Sequence, residues 1–500
     1  MNKPLLIKVL YCVILSIYLF STGCMVGPKY ARPDTDADEG EFVYAGQHSQ
    51  DVNDIEADYR WWIRFGDATT TELVVEALAK NWDLRAAAAR VLQAQAGLSE
   101  ARGAQWPMIT YNLGRDRRKT SFNFGTGRAS ALTTTYSQDI SVVYVLDLFG
   151  KLKHAERAAW ADLLATEANE RVIVNSIIAS VIKARVDIAT LQRRLAIARA
   201  NIESRSSTLE IVERRYGQGL VGPVDVRLAR ENLAASQSTE TALKLSLIKA
   251  HHALDVLVGR RPGYSEMLSE GLDELPNLRP VPIGLPASLL DRRPDLIAAE
   301  MSLRAANEQV GVSVAQLYPD LTLTGTIGRS ADTLRDTFRP ETEIYSLVMG
   351  LSQPIFRGGQ LKAQVDAAKA RYSELAADYA GTVLTALQEV EDALVSEDML
   401  QVQLKQVETR FNEARNAEEL SRQRYSRGIE SILTVLESER RRRIAEEELA
   451  ILKGQLWTTR VNLFLALGGD WVTQPPSDID EDNQKNLKDR RNKGFWFLKW

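Results

Sequence analysis

The sequence is poor in the residues that mark redox, metal and nucleic-acid proteins. Of 500 residues only two are cysteines, Cys12 and Cys24. They cannot make a zinc site or a disulfide framework, because Cys12 falls in a segment expected to be removed. The four histidines, His48, His154, His251 and His252, stand outside any metal-ligand spacing, and the adjacent His251 and His252 face different sides of a helix. Methionine is sparse and unclustered at Met108, Met267, Met301, Met349 and Met399, so nothing suggests a copper pathway. A net charge of −4, with Lys and Arg interspersed among Asp and Glu, gives no basic footprint for nucleic acid. Phosphate-binding glycine loops, nucleophile elbows and convergent carboxylate pairs are missing, which leaves no enzyme class, cofactor or metal site to propose.

Proline and glycine are absent from long stretches. At roughly 150 residues per domain the length suggests three globular domains. Yet neither residue occurs between Lys151 and Tyr216, no proline occurs from Ile355 to Gln474, and Gly381 is the only glycine between Gln360 and Arg427. Runs rich in Ala, Leu, Glu, Arg and Gln of this length predict very long, coiled-coil-like helices.

The N-terminus has Lys3 and Lys8, an apolar stretch Val9–Phe20, and small residues Ser21, Thr22 and Gly23 before Cys24. This resembles a bacterial lipoprotein signal, although Ser21 sits where leucine is usual. The resemblance implies cleavage before Cys24, a covalent lipid on its thiol and a further acyl group on the new amine, ample for stable anchoring. Met25 in place of an aspartate implies sorting to the outer membrane.

Beyond that segment no stretch reaches the 18 or more apolar residues of a transmembrane helix. Four segments alternate instead. Ile140, Val142, Tyr144, Leu146 and Leu148 alternate with polar residues in Tyr136–Phe149; Leu321, Leu323 and Ile327 alternate with Thr322, Thr324 and Thr326; and Tyr345, Leu347, Met349 and Leu351 alternate with Ser346, Val348, Gly350 and Ser352. Met108–Gly114 is a weaker fourth case. Alternation fits a half-buried soluble strand or a barrel strand with lipid outside and water inside. Four antiparallel strands cannot close on themselves, and open edges are not tolerated in lipid, so transmembrane strands here would have to be pooled from several chains. Polar segments Arg115–Thr134 and Arg329–Glu343 are expected as long extracellular loops.

An internal repeat organises the chain. Leu84–Gly114 corresponds to Leu296–Thr326 at a spacing of 212, with Trp106-Pro107 and Tyr318-Pro319 each opening a strand. Arg215-Tyr216-Gly217-Gln218-Gly219 matches Arg424-Tyr425-Ser426-Arg427-Gly428 at a spacing of 209, as Val258-Gly259 matches Leu467-Gly468. Each half reads helix, strand, strand, long helix, turn, helix, and Pro-rich Leu275–Pro294 joins them. Val174, Val181, Ile188, Leu195, Ile202, Leu209 and Tyr216 recur every seven residues, with Ile177, Ala184, Leu191, Ala198, Arg205 and Val212 beside them. The pattern is a coiled-coil seam. Its expected partner, Val226–Leu257, repeats Val226, Leu233, Leu247 and Leu254 beside Ala229, Ser236, Leu243, Ala250 and Leu257.

Cys24-Met-Val-Gly-Pro-Lys-Tyr, then Trp61-Trp62, Phe65 and Asp67, then the duplicated unit and the two Arg-Tyr-x-x-Gly turns resemble the TolC-like outer membrane factors, in particular the lipidated branch serving tripartite drug efflux. The resemblance covers about Cys24–Trp471. It implies a mainly α protein with membrane β: a homotrimer whose twelve pooled strands form a β-barrel continued by a periplasmic α-helical barrel. It also implies a periplasmic adaptor protein and an inner-membrane RND-type transporter as partners. The boundaries are a signal peptide at 1–23, a lipidated linker at 24–70, repeats at 71–263 and 287–471 joined by a linker at 264–286, and a charged tail at 472–500. By resemblance the helical tip turns, marked by Tyr216, Gly219 and Gly428, form the periplasmic end, and Tyr425, Leu433, Glu437, Arg440 and Asp225 occupy the gate. Glu437 and Arg440 share a helical face and can pair. Glu430 stands where some members carry arginine, which argues against a gate ion pair from that position. The function implied is passive export of drugs or other toxic compounds. A lipid-anchored coiled-coil or adaptor protein without a pore is the alternative, and the four alternating strands speak against it.

Overall fold

The computed structural model describes residues 25–35, 42–44, 61–123, 128–264, 268, 271–276, 278, 281 and 289–469. The expected signal peptide, Cys24 and the charged tail lie outside them. The order of elements is α1 (Ala68–Lys80), α2 (Trp82–Gly103), β1 (Met108–Asn123), β2 (Arg128–Leu146), α3 (Lys151–Gly217), α4 (Pro223–Leu257), α5 (Leu289–Arg292), α6 (Pro294–Ala315), β3 (Asp320–Ala331), β4 (Glu343–Ser352), α7 (Gln360–Ser426) and α8 (Ile432–Ala466). No helix among the described residues is long and apolar enough to cross a membrane.

The duplication is visible in helix length. α3 and α7 have 67 residues each, and α4 and α8 have 35 each. Lys151 and Gln360 open the long helices 209 positions apart, and Pro223 and Ile432 open the short ones at the same interval. At 1.5 Å per residue each long helix extends about 100 Å. They run unbroken because no proline interrupts the backbone ladder. Each ends where a glycine two residues on takes the left-handed conformation, Gly219 at φ 71° and Gly428 at φ 76°. The amide of Gly219 donates to the Tyr216 carbonyl (2.9 Å) and that of Leu220 to the Arg215 carbonyl (2.9 Å); Gly428 to Tyr425 (2.9 Å) and Ile429 to Arg424 (3.0 Å) repeat the pattern. These are the paired bonds of a Schellman stop, which needs a residue without Cβ at that point.

The chain divides into two compact units, and each takes elements from both sequence repeats. One comprises the described residues of Met1–Asp34, Ala89–Glu167 and Ala298–Ala380. It holds a single antiparallel sheet in the order β1-β2-β3-β4. Here the structure corrects the expected loop at Arg115–Thr134. Most of it is strand, paired from Arg115↔Tyr136 out to Asn123↔Arg128. Polar residues extend a hairpin readily, because ladder bonds come from the backbone and need no apolar face. Likewise β3 runs on to Ala331, and the remaining connection to β4 contains two short 3₁₀ turns, Asp336–Phe338 and Pro340–Thr342. A small core of Val91, Leu98 and Leu163 packs α2 on α3 in this unit.

The other unit comprises the described residues of Thr35–Ala88, Ala168–Ile297 and Gly381–Trp500. Its α4 buries Val226, Ala229, Ser236, Leu243, Leu247 and Leu254 at seam positions, and His251 and Asp255 beside them. The seam of α3 is buried at Ile177, Val181, Ile188, Leu195, Ala198, Arg205 and Val212, while Tyr216 is exposed. Between Asn175 and Ala189 the buried face widens to Ile178, Ile182, Arg185 and Val186, more than a two-helix seam requires. The extra area meets α8 and the Trp61–Phe65 turn: Trp61 stacks on Phe464 (5.5 Å between centroids), Phe65 packs on Trp457 (5.4 Å), and Asn175 donates to the Gly468 carbonyl (3.1 Å). The Trp61-Trp62-Phe65 motif is therefore a core plug, with all three rings buried.

Candidate functional site

The register of the sheet brings like residues together across all four strands. Ile109, Val142, Gly325 and Leu347 form one row, and Tyr111, Ile140, Ile327 and Tyr345 the next. With Leu113, Tyr144, Leu146, Leu321, Leu323, Met349 and Leu351 they make one face apolar. The opposite face carries Thr110, Asn112, Asp139, Ser141, Thr322, Thr324, Thr326 and Ser346, among Met108, Ile344 and a few valines. On that face Asn112 donates to Asp139 (3.0 Å) and Ser141 (3.3 Å). Each strand has an aromatic residue two to four positions beyond the same end of the sheet: Trp106, Phe149, Tyr318 and Phe356. Phe149 and Tyr318 stack at 4.8 Å. An apolar band edged by aromatic rings, backed by a polar face, is the arrangement that lipid outside and water inside require.

The chain just after Cys24 is held at that aromatic end. Val26 donates its amide to the Phe149 carbonyl (3.2 Å), and Met25 lies against Gly150. His154, buried, places Nε2 at 2.9 Å from the Val26 carbonyl and Nδ1 at 2.5 Å from a Glu308 carboxylate oxygen, while Asn307 donates to the Pro28 carbonyl (3.3 Å). Arg32 pairs with the buried Glu300 at 2.6 Å. His154 had no signal in the sequence beyond its isolation, since both of its partners are distant in the chain.

The turns between the long and short helices form the second site. An apolar cluster of Val212, Val226, Ala229, Tyr425, Ile432, Val435 and Leu436 holds both hairpins together. Gly222 and Pro223 open α4, with Asp225 accepting from the Gly222 amide (3.3 Å); Ser431 caps α8 by accepting from the Thr434 amide (3.4 Å). The gate residues named from the resemblance fall into separate places. Glu437 and Arg440 meet in a two-point ion pair, 2.8 Å at each contact, and Arg441 adds a third contact at 2.8 Å. These hydrogen bonds, Arg440 first, hold the Glu437 carboxyl down at about 2. Leu433 is exposed. Asp225 lies near Tyr425. Tyr425 itself is no free gate side chain: it is 5% exposed inside the apolar cluster, and burial pushes its phenol up. Tyr216, its counterpart in the first turn, is 48% exposed. No hydrogen bond or ion pair among the described residues joins the Tyr425 group to the Glu437 pair. Glu430 pairs locally with Arg424 (3.4 Å) and accepts from Thr434 (3.0 Å).

Further down, Arg442 reaches Glu418, Glu446 (2.5 Å) and Asn201 (2.6 Å), and Glu439 accepts from Thr208 (2.9 Å) and Arg422 (2.7 Å). Part of this network carries a local sequence signal. Four consecutive arginines, Arg440–Arg443, followed by Glu446 and Glu447 place i,i+4 partners along the helix, and Arg443 indeed pairs with Glu447 (3.1 Å). No group of three or more potential metal-ligating side chains occurs among the described residues.

A sheet built for a lipid–water boundary, in one chain with duplicated long helical hairpins, defines an outer-membrane channel subunit. The chain belongs to the outer membrane efflux protein family, whose profile matches residues 73–260 and 285–469. It is 32% identical, over 86% of its own length and 91% of the relative's, to the pyoverdine export outer membrane protein OpmQ of Pseudomonas aeruginosa. It is 28% identical to the toluene efflux pump outer membrane protein TtgF of Pseudomonas putida, with 92% of this chain and 96% of the relative covered. Among solved structures it resembles the outer-membrane channel OprN, with a TM-score of 0.82 and 29% identity over 90% of this chain and all of that one. The outer membrane protein VceC of Vibrio cholerae gives 0.77 and 28% over 83% and all. The protein is thus an outer membrane efflux channel component.

Proposed function

We propose that three copies of this chain close one conduit that carries small molecules outward, passively, as the outer-membrane part of a tripartite pump. The observation that carries this reading is the four-stranded sheet with its continuous apolar face. Its edge strands β1 and β4 have no further partner in the described chain, and edges in lipid must be paired. Three copies would supply twelve strands. The paired helices of each copy would then form the periplasmic wall, with a proton-driven RND-type transporter supplying energy through an adaptor docked at the helical turns. No catalytic step is needed. The relatives named for pyoverdine and toluene support a small-molecule cargo, without choosing one.

The anchor is part of the same proposal. Cys24 would carry a lipid, and the hold of Val26 and Met25 on the aromatic end of the sheet supports it, because acyl chains attached there would enter the bilayer beside Phe149 and Tyr318. Mass spectrometry of the mature N-terminus tests the point: an acylated Cys24 is expected, and a free thiol would refute it.

The tip would act as the gate. Its apolar cluster buries several aliphatic side chains worth about 1.5–3 kcal/mol each, whereas an ion pair open to water and salt contributes little. The hairpins therefore stay folded when the Glu437 contacts break, and such contacts, repeated around a three-fold axis, are weak enough for a partner to reverse. Single-channel recording in planar bilayers is the decisive experiment. A conductance that rises when Glu437 and Arg440 are replaced is expected; a protein that never conducts, even with those replacements, excludes the pore.

A further inference from the structure

On β1 the apolar face of the sheet runs directly into three cations. Ile109, Tyr111 and Leu113 are followed, at the same two-residue period, by Arg115, Arg117 and Lys119, all on that face and all exposed. Their cross-strand partners are Tyr136, Thr134 and Leu132. None is acidic, and among the described residues no carboxylate pairs with any of the three. The Arg115 guanidinium lies over the Tyr136 ring, 5.5 Å from its centroid, which orients it.

Neighbouring charges are treated otherwise. Arg118, on the opposite face, pairs with Asp116 at 3.4 Å. In the other hairpin Arg339 pairs with Asp336 (3.1 Å), and Arg329 donates to the Phe338 carbonyl (3.0 Å). Within the β1–β2 hairpin the unpaired cations among the described residues thus lie on this one face. They lie beyond the apolar band, at the end of the sheet opposite Trp106, Phe149, Tyr318 and Phe356. A merely solvated hairpin has no reason to sort its cations onto the face that continues the lipid-facing rows.

We propose that Arg115, Arg117 and Lys119 bind the phosphate groups of a phosphorylated glycolipid in the outer leaflet, whose acyl chains lie along Ile109, Tyr111 and Leu113. The inference rests on the reading of the sheet as a membrane barrel. Residues two apart on one strand face are about 6.7 Å apart, so successive side chains can close on a phosphate from both sides. The arginine forks suit its oxygens, and the aliphatic stems can lie on the apolar surface below. Anionic headgroups attract each basic residue at the membrane surface, so a row of three discriminates strongly against an uncharged headgroup.

The test uses the assembled protein in detergent, titrated with bisphosphorylated lipid A, the same lipid with both phosphates removed, and inorganic phosphate, with bound lipid read by native mass spectrometry. The wild type is expected to bind the phosphorylated lipid at least about tenfold more tightly than the dephosphorylated one. Arg115→Gln/Arg117→Gln/Lys119→Gln should lose that preference, and Arg118→Gln should keep it. Millimolar inorganic phosphate should fail to displace the lipid; displacement by phosphate alone would assign the site to a free anion and overturn the lipid. Equal binding of the two lipids by the wild type would also overturn the proposal, and needs no variant to fold. Conductance reports separately on the channel: a conducting protein without phosphate preference sinks only this inference, whereas failure to conduct even with Glu437 and Arg440 replaced sinks the barrel reading beneath it.

Discussion

Arg215 of the first helical turn stacks on Tyr425 of the second, its guanidinium carbon 4.6 Å from the ring centroid, and donates Nη1 to the carbonyl oxygen of the same residue at 2.7 Å. The repeat equivalents do something else: Arg424 turns to Glu430, and Tyr216 stays exposed. Two sequence-identical Arg-Tyr pairs therefore have different duties. One ties the hairpins of a chain together, and the other is left available at the tip. A stacked arginine with a charged hydrogen bond is worth about 2 kcal/mol. Arg215→Ala should loosen the hairpins and increase single-channel conductance, whereas Arg424→Ala should leave the hairpin packing intact. Protection of the Val212 and Val226 amides in hydrogen exchange distinguishes the two: it should fall only in the first variant.

Glu437 accepts from both Arg440 and Arg441, so the three substitutions are not equivalent. Glu437→Gln weakens every contact at once. Arg440→Ala leaves Arg441 in place. Conductance and sensitivity to large antibiotics should rise more for Glu437→Gln than for Arg440→Ala, and the double variant should behave like Glu437→Gln. A double variant indistinguishable from wild type removes these residues from the gate.

The pH response of that contact has a definite sign. The folded-state value of Glu437, about 2, lies below its ordinary carboxyl value, so the stabilisation it gives is present above the ordinary value and fades only as pH falls through about 2. Between pH 7 and pH 5 it stays ionised and paired. Tip conductance recorded over that interval should not change through Glu437, and the increase produced by Glu437→Gln should be the same size at both ends. A wild-type channel that opens at pH 5 while the variant does not respond would contradict this.

Arg460 and Glu397 form a buried ion pair between α8 and α7, their side chains 5% and 1% exposed, with Nε 2.8 Å from Oε2. Removing one partner strands a buried charge at about 3–5 kcal/mol. Arg460→Met should therefore lower the thermal midpoint of the assembled protein markedly. Arg460→Met/Glu397→Met, which leaves neither charge of the pair behind, should recover a large part of it. At the equivalent positions of the first repeat stand His251 and Ile188, both buried, so the duplicated fold does not itself demand an ion pair there.

Much of the architecture was legible because it rests on local rules. Missing prolines set the length of α3 and α7, period-two alternation marked β2, β3 and β4, and paired turn motifs located both helical tips. What failed had a local cause as well. Arg115–Asn123 reads as a loop because its alternation is polar, yet a backbone ladder continues it as strand. Of the residues expected at the gate, Glu437 and Arg440 were legible as an i,i+3 pair, whereas the burial of Tyr425 depends on Val212 and Val226, some two hundred residues away.

The sequence by itself determined the period of each element, the points where helices must stop, and the fact that four strands cannot close alone, since propensity, glycine geometry and strand count act over short range. Only the tertiary structure decided that the apolar residues of four strands fall on one shared face, that Arg215 rather than Arg424 holds a tyrosine, and that Met25 and Val26 are held beside Gly150 and Phe149. Those outcomes depend on register and on packing between segments far apart in the chain, where a shift of one residue would turn every side chain of a strand to the other side.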